Sequence, residues 1–493
     1  MAPRVTGART PSRYTADVIA ETEGTPRTRT ATLTPRLFMA LMAGKAAASM
    51  IRRLGRGAGT SLPGLIARRI DPDVLRTIAQ RRKVPIVAIT GSNGKTTTAR
   101  FAAALLRGEG LVANYDPTGS NLVQSVTSLA VSVADLRGRL PDGVLIAEVD
   151  EGALPVVAPQ VRPDALLVTN LLRDQLDRYG ELYAVAGAIG TVARTMAPDA
   201  AFVFNADDPL VADMALDVKI RQVRFGLDLD HSTDRVTRAA DTIRCPRCRS
   251  DLVYRQVYLS HMGAYGCPQC GFARPELDVA VTALQTRGIA ETRLTVRLSS
   301  GEIHLVVPQS GVHIAYDVAG ALAILVGLGI EPAHAAESLA SVGPAFGRLE
   351  QIRAGDRRII LGFAKNPTSY NTTLHTLAAA NEPRQLLVAA SNTLVDGEDF
   401  AWLWDVDFES VAQGLERVTA SGTRADELAN RLKYAGVDPD RVVIVEDRRT
   451  ALNSALSAVG PEGTLTIVAG YTPTVELREE LHRRGWVGRT WET

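Results

Sequence analysis

The sequence predicts an α/β protein: a phosphate-loop domain built on a parallel sheet and carrying an inserted four-cysteine zinc ribbon, followed by a smaller doubly wound α/β domain. Three observations predict it. Residues 84–98 (VPIVAITGSNGKTTT) run an apolar strand into a glycine-rich turn and then a helix. Apolar runs then recur between stretches of helical pattern, the rhythm of strands joined by crossover helices. The chain's four cysteines form two Cys-Pro-x-Cys pairs, CPRC (Cys245, Cys248) and CPQC (Cys267, Cys270), eighteen residues apart.

Length and charge set the frame. With 493 residues, 46% of them hydrophobic, the chain can bury two or three cored domains. A formal net charge of +1 gives no global field for nucleic acid, so no nucleic-acid partner is expected. Residues 1–36 are rich in Thr, Arg and Pro, lack an apolar period and read as a disordered extension. The run at 37–51, LFMALMAGKAAASMI, is too short to cross a hydrocarbon core that needs about 20 residues. It reads either as a packed helix or as a surface-seeking amphipathic one.

The phosphate loop comes next. Gly91, Ser92, Asn93, Gly94, Lys95, Thr96 and Thr97 follow the strand, where backbone N–H groups and a helix N-terminus cradle phosphate, so ATP is the expected ligand. Lys95 would neutralise the β and γ phosphates and Thr96 would ligate magnesium. Ile89 stands where the longer GxxxxGK[ST] motif has its first glycine, so the loop is a shorter variant.

Further strands are read at 144–151 (VLIAEVDE), 165–170 (ALLVTN) and 201–209 (AFVFNADDP). Ligands of open parallel sheets sit outside the carboxyl ends of strands. Glu148, Asp150 and Glu151 therefore fall where a second magnesium would be held, and Asn170, Asn205, Asp207 and Asp208 line the same edge. Each alone reads equally well as a cap or turn residue. Repetition at successive strand ends favours the functional reading.

Two Cys-x-x-Cys pairs at this spacing suit a closed tetrahedral zinc site; chance pairs or two disulfides are the alternatives. No cysteine then remains as a nucleophile. Metal-bound thiolates imply a reducing compartment, and no secretory pattern opens the chain, so a cytoplasmic location is expected.

The second domain shows apolar runs at 385–391, 442–447 and 464–471 alternating with helical stretches, and has no phosphate loop of its own. Its segment 396–409 (DGEDFAWLWDVDFE) joins Asp396, Asp399, Asp405, Asp407 and Glu409 to Trp402 and Trp404. One reading is a solvated loop with buried tryptophans. The other is a partner-docking site, since aromatics anchor interfaces.

GSNGKTTT, the EVDE strand end, TNLLRDQLDRYGE (169–181), NADDP, Gly347-Arg348 and the KNP turn at 365–367 resemble the Mur ligase family, which joins amino acids to peptidoglycan precursors through acyl phosphates. The inserted ribbon and the 396–409 segment resemble its MurT branch, the subunits of lipid II isoglutaminyl synthase that work with a GatD-type glutaminase. The resemblance implies domains at 37–345 (ATP-binding, with the ribbon at 243–274) and 346–493 (docking the glutaminase). It implies amidation of the D-glutamate α-carboxylate of lipid II by ammonia from a class I glutamine amidotransferase, with ATP, magnesium and structural zinc, at the inner face of the membrane where lipid II lies. It implies catalytic roles for Lys95, Glu148 and Arg348, a nucleotide contact for Asp317, and for Asp405 the third place in the partner's Cys-His triad.

Departures accompany the matches. Gln175 stands where amino-acid-adding Mur ligases have a histidine, and Gly187 where they carry a carbamylated lysine. The adenine-contacting HNxxN pattern becomes His313-Ile314-Ala315-Tyr316-Asp317. Two rival readings stand beside amidation: a free-standing amino-acid ligase of the muramyl or folylpolyglutamate type, and a non-enzymatic, nucleotide-switched zinc-ribbon module.

Overall fold

The computed structural model describes residues 34–54, 61–172, 182–233, 243–343, 347–393, 396–397 and 399–488. Gln175 and nearly all of the expected N-terminal extension lie outside the described residues. Three helices come first: α1 (Pro35–Leu54), α2 (Leu62–Ile70) and α3 (Val74–Gln80). Leu37, Leu41, Gly44 and Ala48 recur at helical spacing and form the buried face of α1. The apolar run at 37–51 is therefore a packed helix, although Phe38, Met39, Met42 and Met50 remain exposed on its other side. No described helix is long and apolar enough to cross a membrane.

The central sheet is assembled from β1 (Ile86–Thr90), β2 (Ala113–Asn114), β3 (Val144–Glu148), β4 (Ala165–Val168), β5 (Ala201–Asn205), β6 (Arg221–Leu227) and, after a separate hairpin of β7 (Val253–Leu259) and β8 (Met262–Gly266), β9 (Val279–Arg287), β10 (Glu291–Leu298) and β11 (Gly301–Val307). Its order is β11-β10-β9-β6-β5-β4-β1-β3-β2. Strands β1 to β6 and β9 pair in parallel, whereas β10 and β11 add an antiparallel edge. Every residue of β1, β3, β4 and β5 is buried, as expected of strands covered on both faces.

Helices cover both faces. Alternate strand residues such as Ala88, Ala147 and Phe202 pack under α1 to α3, α5 (Val123–Val133), α6 (Leu154–Val161), α7 (Leu182–Arg194) and α8 (Pro209–Ala215); the intervening Val87, Ile146 and Val203 pack under α4 (Lys95–Gly108), α9 (Val312–Gly327) and α10 (Ala335–Ala340).

The second sheet joins β12 (Arg348–Ala354), β13 (Arg357–Phe363), β14 (Gln385–Ala389), β15 (Arg417–Ser421), β16 (Val442–Ile444) and β17 (Thr464–Ala469) in the order β12-β13-β17-β14-β15-β16. Only the β12–β13 pair is antiparallel. Its helices are α11 (Pro367–Ala379), the short α12 (Glu409–Ala412) and α13 (Ala425–Tyr434) on one face, with α14 (Arg448–Ala458) and α15 (Tyr471–Arg483) on the other. Asn93, just past β1, hydrogen bonds Asn366, just past β13, so the carboxyl ends of both sheets face one cleft.

Candidate functional site

The cleft is built from the phosphate loop outward. The fully buried β1 delivers the chain to Gly91 (φ +119°), and Gly94 (φ +88°) turns it into α4. A Cβ would meet Thr169 Oγ1 at 2.3 Å on Gly91 and Asp317 Oδ1 at 2.2 Å on Gly94, so both positions exclude side chains. Ser92 N donates to Asn170 O at 2.9 Å and Ser92 Oγ to Leu172 O at 3.0 Å. Asn93 N donates to Asn170 Oδ1 at 3.0 Å, which ties the loop to the end of β4. Thr97, on the first turn of α4, lines the same cavity as Gly94 and Arg348.

Lys95 is buried and folded over its own loop. Its ammonium donates to Gly91 O and pairs with Glu151 Oε2 at 3.2 Å. Burial opposes the charge on Glu151, but Lys95 and Lys365 hold its carboxyl below the usual range. Thr96 Oγ1 donates to Glu148 Oε1 at 3.0 Å. Burial raises Glu148 to about 7 against the pull of Lys95 and Thr96, and its Oε2 is buried without a hydrogen bond among the described residues. A carboxylate oxygen left open beside a threonine hydroxyl fits a divalent cation. Asp150 instead accepts Gly152 N at 3.0 Å, the turn role open to it from sequence.

Arg348 enters from the start of β12. Burial lowers it below the ordinary guanidinium value, while Asp317 and Glu148 favour its charge. Burial also raises Asp317 to about 7 and, with Arg348, lowers His313 to about 4. Asp317 Oδ1 accepts Thr98 Oγ1 at 3.3 Å behind the phosphate loop.

Asn205 is fully buried, with its Nδ2 donating to Met262 Sδ at 3.3 Å. Asp208 caps α8 through Leu210 N and Val211 N and also accepts Leu171 N. Asp207 accepts from Leu227 N, Tyr316 Oη and Arg274. The NADDP segment thus braces the strand ends. Gly187 is exposed on α7, and a Cβ there would meet nothing within 4 Å.

The four cysteines converge. Cys245 and Cys270 Sγ lie 3.6 Å apart, Cys248 and Cys267 Sγ 3.4 Å, and all four sulfurs lie within 4.8 Å of one another. These separations bracket the edge of about 3.8 Å of a tetrahedral zinc–thiolate site and are far beyond a disulfide bond. The two knuckles repeat each other: Arg249 N donates to Cys245 O at 2.9 Å and Gly271 N to Cys267 O at 3.0 Å.

On the second domain, Asp405 ends a 3-10 turn (Ala401–Asp405) whose Trp404 is 51% exposed and stacks edge-on against Tyr434, 70% exposed. Trp402 instead packs against Tyr370 and Phe400. The neighbouring carboxylates bond within the chain. Asp396 accepts Thr472 N at 2.9 Å, Asp399 accepts Ala401 N at 2.9 Å, and Asp407 meets His375 Nε2 at 2.7 Å.

Comparison with known proteins gives two family matches. Residues 89–250 match the Mur ligase middle domain and residues 363–474 the MurT ligase C-terminal domain. The chain is 28% identical over 449 residues to the lipid II isoglutaminyl synthase (glutamine-hydrolyzing) subunit MurT of Streptococcus pneumoniae, covering 90% of this chain and 97% of that protein. The protein of the same name from Staphylococcus aureus is 27% identical, covering 91% and 98%. The fold is similar to that of a pseudomurein peptide ligase type C from Methanothermus fervidus, with a TM-score of 0.63 at 21% identity over 83% of this chain and 81% of that one. The resemblance to Mur ligases, and to MurT proteins among them, therefore extends over most of the chain.

Proposed function

We propose that this chain, a Mur ligase-type α/β protein with a MurT-type C-terminal domain, is the ATP-dependent amidating subunit of a lipid II isoglutaminyl synthase. The observation that carries the proposal is the Thr96–Glu148 pair with its open carboxylate oxygen, set beside Lys95 and faced by Arg348 across the cleft.

ATP binds with its phosphates over Gly91–Thr97, and Lys95 exchanges its loop carbonyls for the β and γ phosphates. Magnesium held by Thr96 and Glu148 would neutralise phosphate oxygens. The D-glutamate α-carboxylate attacks the γ-phosphorus and ADP departs, leaving an acyl phosphate. Ammonia then attacks the carbonyl carbon; the bond from carbon to the phosphate oxygen breaks, and the nitrogen sheds a proton to give D-isoglutamine and phosphate. Lys95 and Arg348 stabilise the charge developing on the transferred phosphoryl group.

The cysteine cluster is read as a structural zinc ribbon. With all four thiols so placed, glutamine hydrolysis falls to a partner, a class I glutaminase of the GatD type that docks on the Trp404–Tyr434 surface beside Asp405. Work on a lipid-linked acceptor places the protein in the cytoplasm at the inner membrane face.

The test is the purified chain with ATP, a lipid II analogue and isotopically labelled ammonium. Label in the stem-peptide amide is expected, and Lys95→Ala should lower its rate by about 10² or more with either ammonium or partner-supplied glutamine nitrogen. Addition of an amino acid instead would identify a free-standing ligase, and no reaction would leave a nucleotide-binding module.

A further inference from the structure

The turn of a hairpin ordinarily lies at the surface, in contact with water. Here it is buried. The β7–β8 hairpin reverses at Ser260-His261, where Ser260 takes φ +56°, and His261 and Met262 are 0% exposed. Three hydrogen bonds seat the hairpin on the end of β5: Gly263 N to Asp207 O at 3.0 Å, Tyr265 Oη to Ala206 O at 3.2 Å and Asn205 Nδ2 to Met262 Sδ at 3.3 Å. His261 Nε2 lies 3.4 Å from Asp208 Oδ2.

The hairpin also spans the sheet edge. Cys245, Cys267 and Tyr265 at its base belong to one core, whereas Tyr258 and Met262 near its tip belong to the core on the other face. Leu259 and Met262 line the same cavity as Gly94, Thr97, Ile314 and Arg348. They supply an apolar wall suited to a nucleobase, next to polar groups suited to phosphate.

We propose that the ribbon hairpin forms one wall of the nucleotide pocket and that the four-cysteine knot sets its position, so that nucleotide affinity and zinc retention are coupled. The inference rests on the ATP-binding reading above. A two-stranded hairpin is marginal by itself, so its tip keeps its place through the contacts to β5 together with the packing and cross-linking at its base. Coupling between two sites is reciprocal: a nucleotide that binds better to the zinc-loaded form must tighten zinc binding by the same factor.

The test uses the full chain. The zinc dissociation constant is measured by equilibrium competition with a colorimetric chelator, with and without saturating ADP, and ADP affinity is measured by calorimetry before chelation, after it, and after zinc is restored. ADP should lower the zinc dissociation constant about fivefold or more, and removal of zinc should weaken ADP binding by the same factor, reversibly. Met262→Ala should raise the ADP dissociation constant about tenfold while keeping one zinc per chain, and Met262→Leu should restore most of the affinity. A zinc affinity indifferent to ADP that is demonstrably bound would overturn the inference and leave the ATP-binding reading intact; so would unchanged ADP affinity in Met262→Ala. A zinc-loaded wild-type chain that binds no ADP would overturn both.

Discussion

Asn93 and Asn366, 273 residues apart in sequence, exchange a reciprocal pair of amide hydrogen bonds: Asn93 Nδ2 donates to Asn366 Oδ1 at 3.3 Å and Asn366 Nδ2 to Asn93 Oδ1 at 3.1 Å. Asn93 belongs to the phosphate loop. Asn366 is the N-cap of α11 and accepts Ser369 N at 2.9 Å in a capping box. The pair therefore fixes the second sheet against the nucleotide loop, with Lys365 and Arg348 brought to the same cleft.

Asn366→Asp keeps the capping oxygen but removes the donor to Asn93. Amidation should slow roughly tenfold, because phosphate loop and second domain lose their mutual alignment. Melting should change little, whereas Asn366→Ala, which also loses the cap, should cost about 1 kcal/mol more. A wild-type rate in Asn366→Asp would show that the pair does not position the cleft.

Asp317 gives a pH signature to the nucleotide-free protein. Its folded value of about 7 exceeds the ordinary 3.8, so the folded chain holds a proton that the unfolded chain releases first. This contribution to stability is fully present below about pH 4 and is lost as pH rises through about 7. Asp317→Asn should therefore flatten part of the fall in melting temperature between about pH 5 and pH 7.5, measured by calorimetry at several pH values. Parallel profiles for the two proteins would contradict a buried, protonated Asp317.

Asp405→Asn separates the half-reactions. If Asp405 orients the partner's histidine, glutamine-dependent amidation in the two-chain complex should fall by about 10³ to 10⁴ while ammonium-dependent amidation survives. Equal loss in both assays would assign Asp405 to folding or to the acyl-phosphate site. Unchanged rates in both would remove it from the triad.

Much of this was legible in the sequence because its signals are local. The strand into Gly91 and the Cys-Pro-x-Cys spacing depend on neighbours within a few residues. The strands read at 144–151, 165–170 and 201–209 are fully buried strands at 144–148, 165–168 and 201–205, each ending before the polar residues that close its run. The β9–β11 meander was missed although Thr292, Leu294, Val296 and Leu298 carry the alternation of a half-buried strand.

Other features depend on tertiary placement. The burial of His261 and Met262 has no local signature and comes from the packing of the hairpin against the end of β5. The Asn93–Asn366 pair has no local signature. Asp207 and Asp208 were indistinguishable from catalytic carboxylates until their hydrogen-bond partners fixed them as braces and caps.

The most direct measurement follows oxygen from substrate to product. An acceptor whose D-glutamate α-carboxylate carries heavy oxygen is incubated with the chain, ATP and ammonium, and the released phosphate is analysed by mass spectrometry. An acyl phosphate requires one labelled oxygen to pass from the carboxylate to each phosphate formed, with the other retained in the amide. Unlabelled phosphate accompanying amide formation would contradict carboxylate phosphorylation, the central step of the account.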